Sequence, residues 1–139
     1  LLISDFLKRK ELNNLLDCAF DHSMFVLLES FRKEDLKKSL SLLENAKYSK
    51  RLETQQLLFG INSRDLRTLD VNLQRFSSLA REIPESILKV AESGIKSREN
   101  IMQIRSDGYD LALIGSTFMR TDQPKVILQD FLKIGRKQK

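Results

Sequence analysis

"VAESGI", residues Val90–Ile95, opens as an apolar strand and closes on a carboxylate, a hydroxyl and a glycine. "LALIGS", residues Leu111–Ser116, ends the same way on Gly115 and Ser116. Both read as short strands whose polar residues gather at the carboxyl end. In parallel α/β folds that is the end where a site forms.

Working outward, apolar runs of strand length alternate with helix-length amphipathic segments. The strand candidates are Leu1–Ser4, Phe25–Glu29, Leu57–Asn62, Leu88–Glu92 and Leu111–Ile114. Each is nearly continuous in apolar character, as expected of a strand buried on both faces. Between them, Leu12, Leu15, Leu16, Ala19 and Phe20 follow the spacing of one helical face. Leu36, Leu40 and Leu43 repeat it, as do Leu73, Phe76 and Ala80. Ile101 and Ile104 lie one turn apart, with Ser97 as the cap and Gly108 as the stop. Pro124 opens the last helix, whose core face is Ile127, Phe131 and Ile134. The polar stretch Tyr48–Gln56 is the best loop candidate.

This is β-α repeated five times, the pattern of a parallel sheet with covering helices. An open doubly wound sheet and part of a (β/α)8 barrel both fit. A complete barrel needs roughly 200 residues or more, and this chain has 139. Leu1–Ser4 reads as a buried strand with nothing ahead of it, which favours a partial barrel of about five βα units that starts in mid-fold.

Composition narrows the function. Hydrophobic residues make up 41%, so the chain is globular. No apolar run is long enough to span a membrane, and no secretory signal pattern is present. The lone Cys18 excludes an internal disulfide and a cysteine-rich zinc site, and fits a reducing, cytoplasmic setting. The formal charge is +5. It fits an anionic small substrate better than nucleic acid, because the basic residues are not interleaved with aromatics and no nucleic-acid module is recognisable. The tail Gly135–Lys139 reads as a frayed terminus.

Read together, the strand ends supply Glu29, then Asn62 with Arg64 and Asp65, then Glu92, Ser93 and Gly94, then Gly115 and Ser116. Gly94, Gly115 and Ser116 can bring backbone N–H groups close to a phosphate. Arg64 suits a carboxylate or phosphate through its two-pronged fork. Glu29 and Glu92 can do acid–base work if their environments split their pKa values. Singly, each has a plainer reading: a Gly-Ser pair is an ordinary turn, and Arg64 and Asp65 form an ion pair with each other.

"GINSRDL" (Gly60–Leu66), "VAESGI" and "LIGSTFMR" (Leu113–Arg120) together resemble indole-3-glycerol phosphate synthase, a (β/α)8 barrel of tryptophan biosynthesis. The resemblance covers nearly the whole chain as the carboxyl-terminal five βα units of that barrel. It implies decarboxylating, dehydrating ring closure of 1-(2-carboxyphenylamino)-1-deoxyribulose 5-phosphate, with no metal and no organic cofactor. It assigns catalytic roles to Glu29, Asn62 and Glu92, substrate contacts to Arg64 and Ser93, and the phosphate cradle to Gly94, Gly115 and Ser116.

The chain departs from the pattern where Ser30 and Phe31 stand in place of Val-His, and where Tyr48–Gln56 is a little longer. The family's first and third strands carry the site lysines. None of Lys8, Lys10, Lys33 or Lys37 has the context to replace them. The resemblance therefore implies that these residues alone are inactive, or nearly so. The open edges at Leu1–Ser4 and Leu111–Ile114 call for the missing amino-terminal units or a second copy as partner.

Two rivals remain. Another phosphate-binding barrel enzyme, such as phosphoribosylanthranilate isomerase, needs a Cys/Asp pair at strand ends, and Cys18 is on a helix. A non-catalytic half-barrel assembly module needs no site at all. Elsewhere, His22 reads as a helix-terminal surface residue, Cys18 as a packed thiol, and Met24, Met102 and Met119 as core filler. Asp5 reads as a helix cap, with a place at the mouth as the alternative.

Overall fold

The computed structural model describes residues 1–135. Five parallel strands form one sheet in sequential order: β1 (Leu2–Ile3), β2 (Val26–Ser30), β3 (Leu57–Asn62), β4 (Lys89–Glu92) and β5 (Leu111–Leu113). Helices α1 (Arg9–Asp21), α2 (Lys33–Leu40), α3 (Ala46–Glu53), α4 (Gln74–Ala80), α5 (Arg98–Ser106), α6 (Ser116–Met119) and α7 (Pro124–Gly135) connect and follow them. Sequential parallel order with a helix after each strand is the curl of a (β/α)8 barrel, and five units make an arc of it.

Alternation sets the two faces. Leu28, Phe59, Ile61 and Ala91 point to the helices and are fully buried. They meet the α1 stripe Leu12, Leu16 and Phe20, with Leu36, Phe76, Ile101 and Ile104 from later helices. The register pairs Leu27 with Leu58, Glu29 with Gly60, Asn62 with Glu92 and Glu92 with Leu113, so these share the opposite, concave face. Burial on both faces holds at the centre of the sheet, where Glu29, Asn62, Val90 and Glu92 are buried on the concave side as well, and fails away from it. Leu27 and Leu58 are half-buried, and Leu111 and Leu113 are exposed, because five strands cannot close over their own interior.

Several expectations shift. The stretch Tyr48–Gln56 is mostly helix: Asn45 caps α3 by accepting from the Lys47 N–H at 3.0 Å, and the buried Tyr48 donates its hydroxyl to Asp17 at 3.0 Å. One anchoring ring in a polar segment hides that helix from a periodicity test. The helix through Leu36 and Leu40 stops before Leu43 and tightens into a 3-10 turn over Ser41–Glu44, which buries Leu42. Met24, Met102 and Met119 are exposed and fill no core; on α5, Ile101 and Ile104 occupy the inner side and leave Met102 outside. Cys18 is likewise exposed, as the α1 positions beside it, Leu16 and Phe20, take the buried stripe. Ser97 does cap α5, accepting from the Asn100 N–H, and Gly108 (φ +87°) ends it: the Tyr109 N–H returns to the Ile104 carbonyl. Pro124 opens α7, with Phe131 buried beneath. The tail beyond Gly135 lies outside the described residues.

Candidate active site

Because all five strands are parallel, their carboxyl ends share one rim. Glu29 is the penultimate residue of β2, Asn62 closes β3 and Glu92 closes β4, and all three are buried. Asn62 Nδ2 donates to Glu29 Oε1 at 2.7 Å. Asn62 Oδ1 accepts from the Arg64 backbone N–H at 2.9 Å, which fixes the amide so that its NH2 faces the carboxylate. The structure thus brings three residues of three strands together as one hydrogen-bonded and charge-coupled group.

Glu92 is the extreme member, only 2% exposed. Its Oε1 finds no hydrogen-bond partner among the described residues. Burial first, then the charge of Glu29 and a hydrogen bond with it, push the Glu92 carboxyl from 4.5 up to about 8. Two carboxyls in one dry pocket cannot both ionise cheaply, so Glu92 holds its proton near neutral pH. One acid kept neutral beside a second carboxyl fixed as an acceptor is an arrangement able to give and take a proton.

The turns after β4 and β5 lie side by side. Ser93 (φ +68°) and Gly94 (φ +72°) both take the left-handed conformation. A Cβ on Gly94 would stand 2.5 Å from Val71 Cγ1 and 2.9 Å from Ser63 Oγ, so the turn is open only to glycine. Ser63 Oγ donates to the Ser93 carbonyl at 3.0 Å and holds this turn to the end of β3. Gly115 and Ser116 start α6, and Thr117 Oγ1 donates to the Ile95 carbonyl at 2.6 Å. That bond ties the two candidate phosphate turns into one surface.

Arg64 lies beside the site, but its guanidinium is engaged with its own loop, donating to the Leu69 carbonyl at 2.9 Å. No ion pair joins it to Asp65, whose carboxylate accepts from the Arg67 N–H at 2.7 Å. Asp5 caps no helix. It sits at the mouth, ion-paired with Arg32 of the turn after β2 and, at 2.9 Å, with Arg67 of the loop after β3. Phe31, where the resemblance breaks, lies under the Arg75 guanidinium at 3.6 Å from ring centre. These long-range contacts carry no local sequence signal. Gly60 did carry one: a glycine inside an apolar strand marks a close approach, and Glu92 makes it.

Cys18 is on α1, away from the strand ends. Among the described residues no helix is long and apolar enough to cross a membrane, and no three His, Cys, Asp or Glu side chains are grouped to hold a metal ion.

A family model described as "Indole-3-glycerol phosphate synthase" matches residues 1–131. A protein of that name from Koribacter versatilis is 35% identical over 132 residues, which is 95% of this chain and 46% of that protein. One from Bacteroides thetaiotaomicron is 34% identical over 96% of this chain and 46% of its own length. One from Sulfurisphaera tokodaii is 33% identical over 86% of this chain and 44% of its own. The chain spans a little under half the length of these relatives.

Proposed function

The chain belongs to the indole-3-glycerol phosphate synthase family, and from that premise we propose that it is the carboxyl-terminal, five-unit part of such a barrel. The whole protein would close the indole ring of 1-(2-carboxyphenylamino)-1-deoxyribulose 5-phosphate with loss of carbon dioxide and water. The observation that carries this reading is the buried Glu29–Asn62–Glu92 group at the strand ends. Neutral Glu92 can give a proton to an oxygen leaving as water, and Glu29, held as an acceptor by Asn62, can take one. Gly94, Gly115 and Ser116 would hold the phosphate, Ser93 would line the site, and Arg64 would orient Asn62 through its backbone while flanking the substrate. The reading needs no metal or organic cofactor.

The lysines that the resemblance places on the first and third strands of the barrel are not among these 139 residues. The 139-residue chain on its own is therefore proposed to grip phosphate without turning substrate over, since residues that act as a unit lose nearly all their effect when one is removed. The edges of β1 and β5 would pair with the remaining βα units or, without them, with another copy.

Binding tests the phosphate assignment. Adding the anthranilate-ribulose phosphate substrate should shift the amide signals of Gly94, Gly115 and Ser116 in a nitrogen–proton NMR spectrum. Shifts confined to other loops, or none at millimolar substrate, would remove the assignment.

A further inference from the structure

The structure assigns Gly60 the role of a positioning residue: its missing side chain is the socket in which the Glu92 carboxyl lies, and the socket is what sets that carboxyl against Glu29. The inference rests on the reading of Glu29 and Glu92 as the acid–base pair.

Gly60 stands on β3, the strand between them. It is the register partner of Glu29 on β2 and of Val90 on β4, two residues before Glu92. To approach Glu29 from β4, the Glu92 side chain must cross the backbone of β3, and it crosses at residue 60. A Cβ built there would lie 1.7 Å from Glu92 Oε1 and 2.9 Å from its Cδ, with Leu27 Cδ1 at 3.0 Å on the other side. No real atom tolerates the first distance. The backbone gives no other reason for glycine, since Gly60 is absent from the positive-φ positions and lies in regular parallel ladder on both sides. A residue with a side chain would fill this place better in a buried strand. What the glycine provides is room for a carboxyl.

The consequence is chemical. With a methyl group at residue 60, the Glu92 carboxyl has to swing off β3 toward the open concave face. There it regains water and moves away from the charge of Glu29, the two largest causes that hold its proton. Gly60 touches neither substrate nor proton in this account and acts only through Glu92.

The test is Gly60→Ala, read by carbon-13 carboxyl titration of Glu29 and Glu92. In the parent chain the Glu92 signal should titrate far above 4.5, and in the variant it should return toward that ordinary value. An unchanged Glu92 titration in a folded variant would overturn the inference. If Gly60→Ala does not fold, Gly60→Ala combined with Glu92→Ala decides. The double variant should fold with a Tm within roughly 3 °C of Glu92→Ala alone, whereas a double variant that also fails to fold would show that the clash is not with Glu92. These signals need no substrate. Loss of the ring-closure reading would leave them standing, and an unchanged Glu92 titration in Gly60→Ala would leave ring closure untouched.

Discussion

The centre of the sheet and its β5 margin are made from similar residues and end in different states. At β2–β3–β4 each strand has a neighbour on both sides, and Glu29, Asn62 and Glu92 are buried and mutually held. At β5 all three residues are exposed, with Leu111 at 46% and Leu113 at 51%. There α7 leans on α5 and leaves a cleft of about 530 Å³, lined by Leu111, Leu113, Ile114, Phe118, Leu128 and Leu132. A right-handed crossover lays each helix over the groove between its own strand and the next. Among the described residues no strand follows β5, so Leu128 and Leu132 of α7 face open space while Ile127, Phe131 and Ile134 pack on the core. Buried polar groups are held together where flanking strands dry and constrain them; at the margin part of the apolar surface has no neighbour among the described residues.

The largest expected difference is in catalysis. In an enzyme completed with the remaining βα units, Glu29→Gln should lower kcat by about 10²–10⁴-fold, the usual worth of a positioned acid–base group. Leu113→Ala at the margin should change it by much less, and steady-state kinetics on both variants measures the gap. Stability should separate the regions next. Phe59→Ala, fully buried on the helix side, should cost about 3–5 kcal/mol, against less than about 1 kcal/mol for Leu113→Ala, by urea denaturation. Equal costs would erase the distinction.

A pH dependence sharpens the centre alone. Glu92 keeps its proton in the fold up to about 8 but gives it up near 4.5 once unfolded. The folded state binds the extra proton between those values, so stability is full below about 4.5 and declines as pH rises toward 8, by at most about 1.4 kcal/mol per pH unit. Glu92→Gln should flatten that slope in urea midpoints taken across the range. The smallest effect belongs to the margin: Leu111→Lys should leave urea stability within about 0.5 kcal/mol while weakening self-association in sedimentation. An unchanged association would mean that β5 is not the sticky edge.

The parallel alternation and the strand-end residues were legible because both are written locally, as apolar runs that stop on a polar group. Glu29, Asn62 and Glu92 could be chosen that way, and Gly94 from its place after β4. What lay beyond reading were facts that depend on register and distance. That Glu92 leans across Gly60 needs the β3–β4 ladder. That Asp5 pairs with Arg67 joins residues far apart in the chain. Helix α3 escaped because a single buried Tyr48 makes no stripe, and the exposed methionines looked apolar without being inward.

The most direct measurement is the fluorescence of the indole product from the anthranilate-ribulose phosphate substrate, first with this chain alone and then with a polypeptide carrying the first three βα units added. The account predicts no turnover from the chain alone and activity on mixing, abolished by Glu29→Gln. Turnover by the chain alone at an enzyme-like rate would contradict the need for the absent lysines. Silence on mixing, with association demonstrated, would contradict the catalytic reading of the strand-end group.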